Sequence, residues 1–205
     1  MSDIAEYYGG SILAMIGKSS VSIVTDKRLG AGPISVGKNF TKVYTLNNRL
    51  FFGFTGLVSD AEILYKKIRK NYNLFVQDNK RDMEPSELSN LISFILYQKR
   101  LQPYYVSTIV CGITSDNKPY ASSMDCIGAM KETDEFATVG TASNNLMGLS
   151  EALFYADMED EDLFTTSVQV FLNSSDRDTF GGMGFECFLI NHEGYKKREF
   201  VGRCD

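Results

Sequence analysis

Two alternating periods of apolar residues constrain the fold of this chain more than any other feature. Strand-like segments, short and rich in β-branched side chains, cover residues 11–16, 20–26, 42–46, 50–55, 106–113, 119–124, 126–130, 135–139, 184–190 and 195–201. Helical spacing of the apolar residues takes over in two regions, 59–102 and 143–172. Blocks of strands separated by pairs of helices predict an α+β domain in which helices cover antiparallel sheets.

The first two helices are predicted from residues suited to helix ends. Ser59, with Glu62 three positions further on, fits a capping box at the start of the first helix. Pro85 suits the first turn of the second helix, and Pro103 ends it. Both helices are therefore expected to lie together between two blocks of strands.

The second pair of helices follows the same logic. Ser143 is the expected cap of the third helix, and the acidic run 157–162 leads into a fourth helix over 163–172. The strand 106–113, which precedes this pair, is apolar on both faces. We expect that strand to be buried between two layers of the domain.

Composition excludes several classes of function. The 205 residues suit one domain, and their net charge of −5 argues against a nucleic-acid binder, which needs a basic face. The single histidine, His192, is expected at the surface in a turn, and it excludes a zinc site built from several histidines. The four cysteines have no zinc or redox spacing, and no apolar stretch is long enough to span a membrane. Without a signal peptide, an intracellular, reduced protein is predicted.

Five polar or glycine positions stand at the ends of predicted elements. They are Gly10 before the first strand, Asp26 at the end of the second, Lys42 at the start of the third, Gly56 after the fourth, and Asp178 in the segment RDTFGG. Asp26 lies sixteen positions beyond Gly10, and Lys42 lies thirty-two positions beyond it. Each position alone is a weak signal, since an aspartate at a strand end is usually a turn former.

In this order and spacing, these residues resemble the proteasome β subunits. The segment GSILA stands where that family has the threonine-led sequence TTTLA, and the likeness runs from residue 10 to about residue 200. It implies one β-type domain, 10–205, preceded by a short leader, 1–9. It also implies the fold of the N-terminal nucleophile hydrolases, a four-layer αββα sandwich with two antiparallel sheets flanked by helix pairs. In the family a threonine hydroxyl attacks, a lysine held by an aspartate tunes its proton, and the Gly56 position supplies an oxyanion-hole N–H.

The departures from the family pattern predict a protein without catalytic activity. Gly10 replaces the nucleophile, and Val139 and Gly181 replace two supporting serines, so three hydroxyls are missing. Leader cleavage in the family uses the same hydroxyl, so the leader 1–9 is expected to stay attached. The resemblance therefore implies a non-catalytic β subunit of the eukaryotic 20S core particle, cytoplasmic and nuclear, which needs no cofactor. Its expected partners are other β subunits in its own and the opposite ring and subunits of the α rings, with neither nucleic acid nor membrane among them.

Three further expectations concern the residues that remain. Asp26 and Lys42 are interpreted as a buried structural pair, because removing one partner would leave an unpaired charge. In the family the loop between the middle strands lines a neighbouring subunit's substrate pocket, which makes Asp125 and Cys126 candidates for shaping that pocket; the alternative is a turn aspartate and a packed cysteine. Asp205 carries two carboxylates, and oxygen ligands of this kind suit a structural Mg²⁺ shared with a partner subunit.

Two other functions compete with this interpretation. The first is an active amidohydrolase that uses Ser11 after cleavage behind Gly10; against it, Ser11 is one position off the family spacing and would point to the opposite face of its strand. The second is a binding module of the same fold that works outside a proteasome.

Overall fold

The structure is a computed structural model that describes residues 4–202. Its strands are β1 (Ser11–Ile16), β2 (Val21–Asp26), β3 (Leu29–Ala31), β4 (Ile34–Gly37), β5 (Val43–Asn47), β6 (Leu50–Gly56), β7 (Val106–Ile113), β8 (Pro119–Met124), β9 (Met130–Thr133), β10 (Phe136–Gly140), β11 (Phe185–Asn191) and β12 (Gly194–Phe200). Its helices are α1 (Val58–Asn79), α2 (Pro85–Tyr97), α3 (Ser143–Leu153) and α4 (Asp160–Ser175), and a short 3-10 turn covers Ile4–Glu6.

Two five-stranded antiparallel sheets form the middle of the domain. The first has the strand order β10-β1-β2-β11-β12, and the second has the order β5-β6-β7-β8-β9. Helices α3 and α4 cover the first sheet, and α1 and α2 cover the second. The predicted four-layer αββα sandwich is therefore confirmed.

The alternation of side chains along each strand explains why the inner strands of both sheets are buried on both faces. In β1, Ile12 and Ala14 pack between the two sheets, whereas Leu13 and Met15 pack against α3 and α4. The strand β7 behaves in the same way: Ile109 faces the other sheet and Val110 faces the helices. The expectation that residues 106–113 lie between layers is confirmed.

Helix α1 begins differently from the prediction. Its N-cap is Leu57, which makes no side-chain capping bond, so Ser59 lies inside the first turn rather than at the cap. The Asp60 carboxylate instead accepts a hydrogen bond of 2.9 Å from the backbone N–H of Tyr105, which ties the helix start to the segment before β7. The capping box is at α2, where the Glu84 and Glu87 side chains bond reciprocally with backbone N–H groups.

Other element boundaries also differ. The hairpin β3–β4 was not predicted, because its strands of three and four residues, which flank a Gly-Pro turn, are too short to show a period. The segment predicted as a strand over 126–130 is mostly a turn, and β9 begins only at Met130. The acidic residues from Asp160 onward form the first turn of α4 instead of preceding it, which suits their charge.

Of the helices within residues 4–202, none is both long and apolar enough to cross a membrane. His192 is exposed in the tight turn between β11 and β12, as predicted.

Candidate functional site

The ends of three strands bring Gly10, Asp26 and Lys42 together. Gly10 directly precedes β1 and Asp26 ends β2, its antiparallel neighbour. Lys42 directly precedes β5 in the second sheet, where its carbonyl accepts a bond of 3.0 Å from the Phe54 N–H. The Lys42 side chain therefore crosses from the second sheet to the edge of the first.

Asp26 and Lys42 form a buried ion pair with few unused hydrogen-bonding groups. The Lys42 Nζ lies 2.9 Å from Asp26 Oδ2, and the two residues are 4% and 1% exposed. The same nitrogen donates to the carbonyl oxygens of Asp26, at 3.1 Å, and Arg28, at 2.7 Å. An ammonium has three N–H donors, so these three acceptors saturate it.

Burial lowers the pKa of Lys42, and the adjacent Asp26 carboxylate partly offsets that effect. The other oxygen of Asp26, Oδ1, accepts from the Ser11 N–H at 2.9 Å. The carboxylate thus joins the ammonium to the backbone at the start of β1. In this arrangement the Lys42 ammonium has a structural role, because all of its N–H groups are bonded to protein acceptors.

The side chain of Lys42 occupies the space in which a residue 10 side chain would lie. A Cβ added to Gly10 would be 2.8 Å from Lys42 Nζ and closer still to its Cε. The φ angle of Gly10 is +107°, which side chains of L-residues rarely adopt. Glycine at this position is therefore required by the backbone and by Lys42.

The described part of the leader runs across this site. The N–H groups of Gly30 and Gly32 donate to the carbonyls of Tyr8, at 3.0 Å, and Tyr7, at 2.8 Å. Gly9 lies against the carbonyl of Phe180, with no room for a Cβ. Two backbone hydrogen bonds thus hold the leader against β3 and the turn that follows it.

Little space remains beside Gly10 and Lys42. The cavity next to them measures only about 20 Å³ and is lined by the leader residues Tyr8 and Gly9, together with side chains such as Phe40, Lys42 and Phe54. Gly56, the family's oxyanion-hole position, lies at the end of β6, where it lines both this cavity and an open cleft of about 380 Å³. The small cavity beside Lys42 holds about one water molecule, so no peptide side chain fits there.

Asp178 reaches the site through a residue that the sequence did not single out. The Thr141 hydroxyl donates to Asp178 Oδ2 at 2.6 Å, and the Thr141 N–H donates to the Gly10 carbonyl at 3.1 Å. Gly181 lies beside the same carboxylate, where a Cβ would be 2.9 Å from Oδ2. Val139, by contrast, is buried between the sheets opposite Ile12 and contributes only packing.

Arg28 is the second residue that sequence reasoning missed. It is 3% exposed, and its guanidinium donates to Ser35 Oγ at 2.9 Å, to the Phe180 carbonyl at 2.8 Å and to the Gly32 carbonyl at 3.0 Å. A basic residue two positions after Asp26 was a weak signal, because most arginines lie at the surface. Thr141 had no signal at all, since its role depends on the meeting of β10 and the loop after α4.

Ser11 is buried and faces away from Lys42. Its hydroxyl accepts a bond of 2.8 Å from the Ala142 N–H at the start of α3. Its backbone N–H, on the other hand, is bound by Asp26. The expected change of face between residues 10 and 11 is therefore present in the structure.

Asp125 and Cys126 lie in the turn between β8 and β9. Asp125 Oδ1 accepts from the N–H groups of Ile127, at 3.0 Å, and Ala129, at 2.8 Å, which is the bonding of a turn aspartate. Asp125 is exposed and, together with Lys131, lines an open cleft of about 380 Å³. Cys126 is half-buried. Whether they shape a neighbouring pocket stays a prediction.

The metal expectation concerns Asp205, which lies outside the described residues, as does Cys204. Within residues 4–202, no three histidine, cysteine, aspartate or glutamate side chains cluster closely enough to hold a metal ion.

Comparisons with known proteins place this geometry in one family. The family described as Proteasome subunit matches residues 6–190. The proteasome subunit beta type-3 of Dictyostelium discoideum is 39% identical over 203 residues, which cover 98% of this chain and 99% of that protein. Beta type-3-B of Arabidopsis thaliana is 37% identical over 202 residues, 98% of this chain and 99% of that protein. Beta type-3 of Saccharomyces cerevisiae is 37% identical over 206 residues and covers both chains completely.

Proposed function

Because the chain belongs to the proteasome subunit family, we propose that it is a non-catalytic β subunit of the 20S core particle. The observation that carries the proposal is at Gly10, the family's nucleophile position. That residue has no hydroxyl, and the Lys42 side chain fills the space that a hydroxyl-bearing side chain would need.

Two physical reasons support inactivity beyond the missing nucleophile. Proton transfer from a hydroxyl needs a base with a free lone pair, but every N–H of the Lys42 ammonium is bound to an acceptor. The carbonyls of Tyr8 and Tyr7 accept from the N–H groups of Gly30 and Gly32, which are therefore not available to a bound peptide.

The work of such a subunit is structural. It would complete the wall of the proteolytic chamber and support active neighbours in ATP- and ubiquitin-dependent protein degradation, in the cytoplasm and the nucleus. Its partners would be other β subunits of the same and the opposite ring and subunits of an α ring. The three relatives compared above are each named as proteasome beta type-3 subunits, which supports this assignment.

The competing hydrolase that would use Ser11 has little support. The Ser11 hydroxyl is bound to the Ala142 N–H on the side of the strand away from Lys42, and freeing it would require the loss of residues 1–10. The remaining alternative, a binding module outside a proteasome, predicts a stable monomer in a cell lysate.

The decisive experiment is the intact mass of this chain taken from a purified native particle. We expect the mass of the full chain with its leader, allowing only for removal of Met1 and N-terminal acetylation. Loss of residues 1–10 would contradict the proposal and favour the Ser11 hydrolase. Recovery of the chain only as a monomer would contradict its place in a ring.

We also keep the Mg²⁺ at Asp205 as a proposal, supported by the preference of this ion for carboxylate oxygens. A high-resolution map of the assembled particle should contain octahedral density at Asp205. Ordinary water geometry at that position would dismiss it.

A further inference from the structure

A cavity of about 580 Å³ lies at the end of β5 and β6 that is opposite to Lys42 and Gly56. It is enclosed by the turn between β5 and β6, by the segment between α1 and α2, and by the end of β7. Its volume falls in the range of pockets that hold small ligands. The family site at Gly10 takes no part in it.

The floor of this cavity is apolar. Four buried side chains from three different parts of the chain line it: Leu50, Met83, Pro85 and Ile113. Such a surface favours an aliphatic group over water. The cavity can therefore receive the apolar part of a ligand.

Backbone hydrogen bonds join the walls of the cavity. The Ile113 N–H donates to the Arg49 carbonyl at 3.0 Å, and the Arg49 N–H donates to Asn47 Oδ1 at 2.8 Å. On the side of α2, the Ser115 N–H donates to the Glu84 carboxylate at 3.1 Å. The end of β7 is thus bonded both to the β5–β6 turn and to the start of α2.

A buried tyrosine connects the remaining two walls. The Tyr72 hydroxyl accepts from Asn47 Nδ2 at 3.3 Å and donates to Asp82 Oδ1 at 2.9 Å. Burial raises the pKa of Tyr72 to about 12, so the hydroxyl stays protonated and keeps its bond to Asp82. These contacts fix the positions of the lining residues before a ligand arrives, which lowers the cost of binding.

Two of the four charged residues that line the cavity are already bonded. The Arg81 guanidinium binds both oxygens of Glu87, at 2.6 and 2.8 Å. The Glu84 carboxylate belongs to the capping box of α2. Neither group therefore needs a further partner.

The other two charges are opposite in sign and only partly used. Within residues 4–202 the Arg49 guanidinium makes no hydrogen bond or ion pair, and its recorded bonds involve only its backbone. Asp82 uses its Oδ1 for Tyr72, whereas its Oδ2 has no bonded partner among these residues. Arg49 and Asp82 do not pair with each other, so a cationic and an anionic group remain available at one apolar cavity.

We infer that this cavity binds a zwitterion with an apolar side chain, a free amino acid or a short peptide. The carboxylate of the ligand binds Arg49, its ammonium group binds Asp82, and its side chain occupies the apolar floor. The inference goes beyond the proposed function and does not depend on it, because none of these residues contacts Gly10 or Lys42.

The first test uses a leucine analogue whose side chain carries a photoreactive diazirine. It is added to the full chain in its purified native form, and after irradiation and digestion the adducts on this chain are located by mass spectrometry. We expect adducts on the floor residues Met83, Pro85 or Ile113, and we expect excess leucine or dileucine to suppress them. The stronger of these two competitors shows whether a free amino acid or a peptide is the preferred ligand.

Two further competitors each lack one charge. N-acetyl-leucine has no ammonium group and leucinamide has no carboxylate, so each should compete at least about five-fold more weakly than leucine. Equal competition by either compound overturns the inference, because the missing charge is then not recognised. Adducts that leucine does not suppress, or that lie only outside the cavity, also overturn it.

The second test removes the two charges from the protein. Arg49→Gln and Asp82→Asn keep polar side chains of similar size, and each should lower labelling of the floor at least about five-fold. The matched controls are Lys118→Gln and Asp116→Asn, which change exposed residues of the β7–β8 turn that do not line the cavity. Equal labelling in all four variants contradicts the inference. Adducts are normalised to other peptides of this chain, so a lower yield of a variant does not imitate lost binding.

The third test blocks the cavity. Ser115 is exposed and is bonded to Glu84 through its backbone N–H, so Ser115→Trp adds a large side chain at the cavity and leaves that bond in place. We expect the floor adducts to disappear in this variant and to persist in the control Asp116→Trp. Undiminished labelling in Ser115→Trp would refute the assignment, while the proposed function, which intact mass tests, would stand.

Discussion

Gly10 and Lys42 explain each other at the scale of single residues. The ammonium of Lys42 stands where a residue 10 side chain would be, and it is bound there by one carboxylate and two carbonyls. A side chain at position 10 would have to displace a buried charge from all three acceptors. The absence of a side chain at position 10 and the position of the Lys42 side chain therefore depend on each other.

The first prediction concerns restoration of the nucleophile. Gly10→Thr should produce neither leader cleavage nor peptide hydrolysis, because Lys42 blocks the site and Val139 and Gly181 still lack hydroxyls. It should also lower the melting temperature, since a φ of +107° strains any side chain. Intact mass, a peptidase assay and thermal unfolding measure these effects.

Gly10→Ala is the matched control, because it brings the same strain without a hydroxyl. We expect similar destabilisation in the two variants. Efficient leader loss in Gly10→Thr would show that the supporting hydroxyls are not needed.

The second prediction tests the ion pair. Lys42→Met should lower the free energy of unfolding by about 3–5 kcal/mol, because it leaves the Asp26 carboxylate buried without its cation. The double variant Asp26→Asn/Lys42→Met should lose less than the sum of the single variants, which urea unfolding of all four proteins measures. Strict additivity would mean that the two residues act independently.

At the scale of elements, the starts of α1 and α2 show how tertiary contacts select a helix end. Ser59 and Glu62 have the spacing of a capping box, yet α1 begins before them at Val58. The Asp60 carboxylate is held by the Tyr105 N–H from a distant part of the chain, which fixes the first turn earlier. Helix α2 also has a remote contact at its start, since the Ser115 N–H donates to the Glu84 carboxylate, but there the capping box of Glu84 and Glu87 closes the first turn as well.

A pair of substitutions checks this difference. Glu84→Ala should lower the free energy of unfolding by about 1 kcal/mol, because it removes the cap of α2 and a further bond to the Ser115 N–H. Ser59→Ala should change it by no more than about 0.5 kcal/mol, since Ser59 is exposed within a turn. A larger effect for Ser59→Ala would restore that residue as the cap of α1.

The outer strand β12 depends on a network of charges. Glu199 binds Lys27, directly after β2, at 2.8 Å and Lys197 at 2.9 Å. Lys197 also binds Glu186 of β11 at 2.7 Å. Hydrogen bonds from Lys27 and Lys197 lower the pKa of Glu199 to about 2. A lowered pKa means that its contribution to stability is complete above about pH 4.5 and is lost as the pH falls towards 2.

The Glu199→Gln variant should therefore melt earlier than wild type near neutral pH and lose less stability between about pH 4.5 and 2. Melting temperatures across this range measure the difference. Glu193→Gln removes a carboxylate from the turn of the same hairpin without touching the network and serves as control. If the melting temperatures of Glu199→Gln and wild type fall by the same amount between about pH 4.5 and 2, this carboxylate has no role in acid stability.

At the scale of the whole molecule, the layers bury one another, whereas several turns between strands stay exposed. The turn that carries Asp125 is an example. One carboxylate oxygen holds the turn through the N–H groups of Ile127 and Ala129, while the residue as a whole is exposed. Its charge can therefore act on a neighbour without any change in the turn.

Two substitutions distinguish these roles in the assembled particle. Asp125→Asn keeps an acceptor for the turn and removes the charge, whereas Asp125→Ala removes both. If the charge attracts basic side chains into a neighbour's pocket, both variants should lower kcat/KM for cleavage after basic residues by about three- to ten-fold. If particles that contain Asp125→Asn cleave after basic residues at the normal rate, the role of Asp125 is limited to holding the turn.

Much of the fold follows from local patterns. The two helix pairs, most of the large-sheet strands and the two-sided burial of 106–113 were predicted, because long periodic segments carry a strong signal. The short hairpin β3–β4 and the start of α1 were not predicted. Strands of three and four residues show no period, and a remote backbone N–H can overrule a cap.

The candidate site divides in the same way. The residue types alone established that position 10 lacks a hydroxyl and that Asp26 and Lys42 have the family spacing. Only the folded chain decided that the Lys42 ammonium fills the space beside Gly10, that the leader is bonded to Gly30 and Gly32, and that Arg28 and Thr141 complete the surroundings. These contacts join residues distant in sequence, and their geometry depends on how the two sheets and the loop after α4 meet, which no local period encodes.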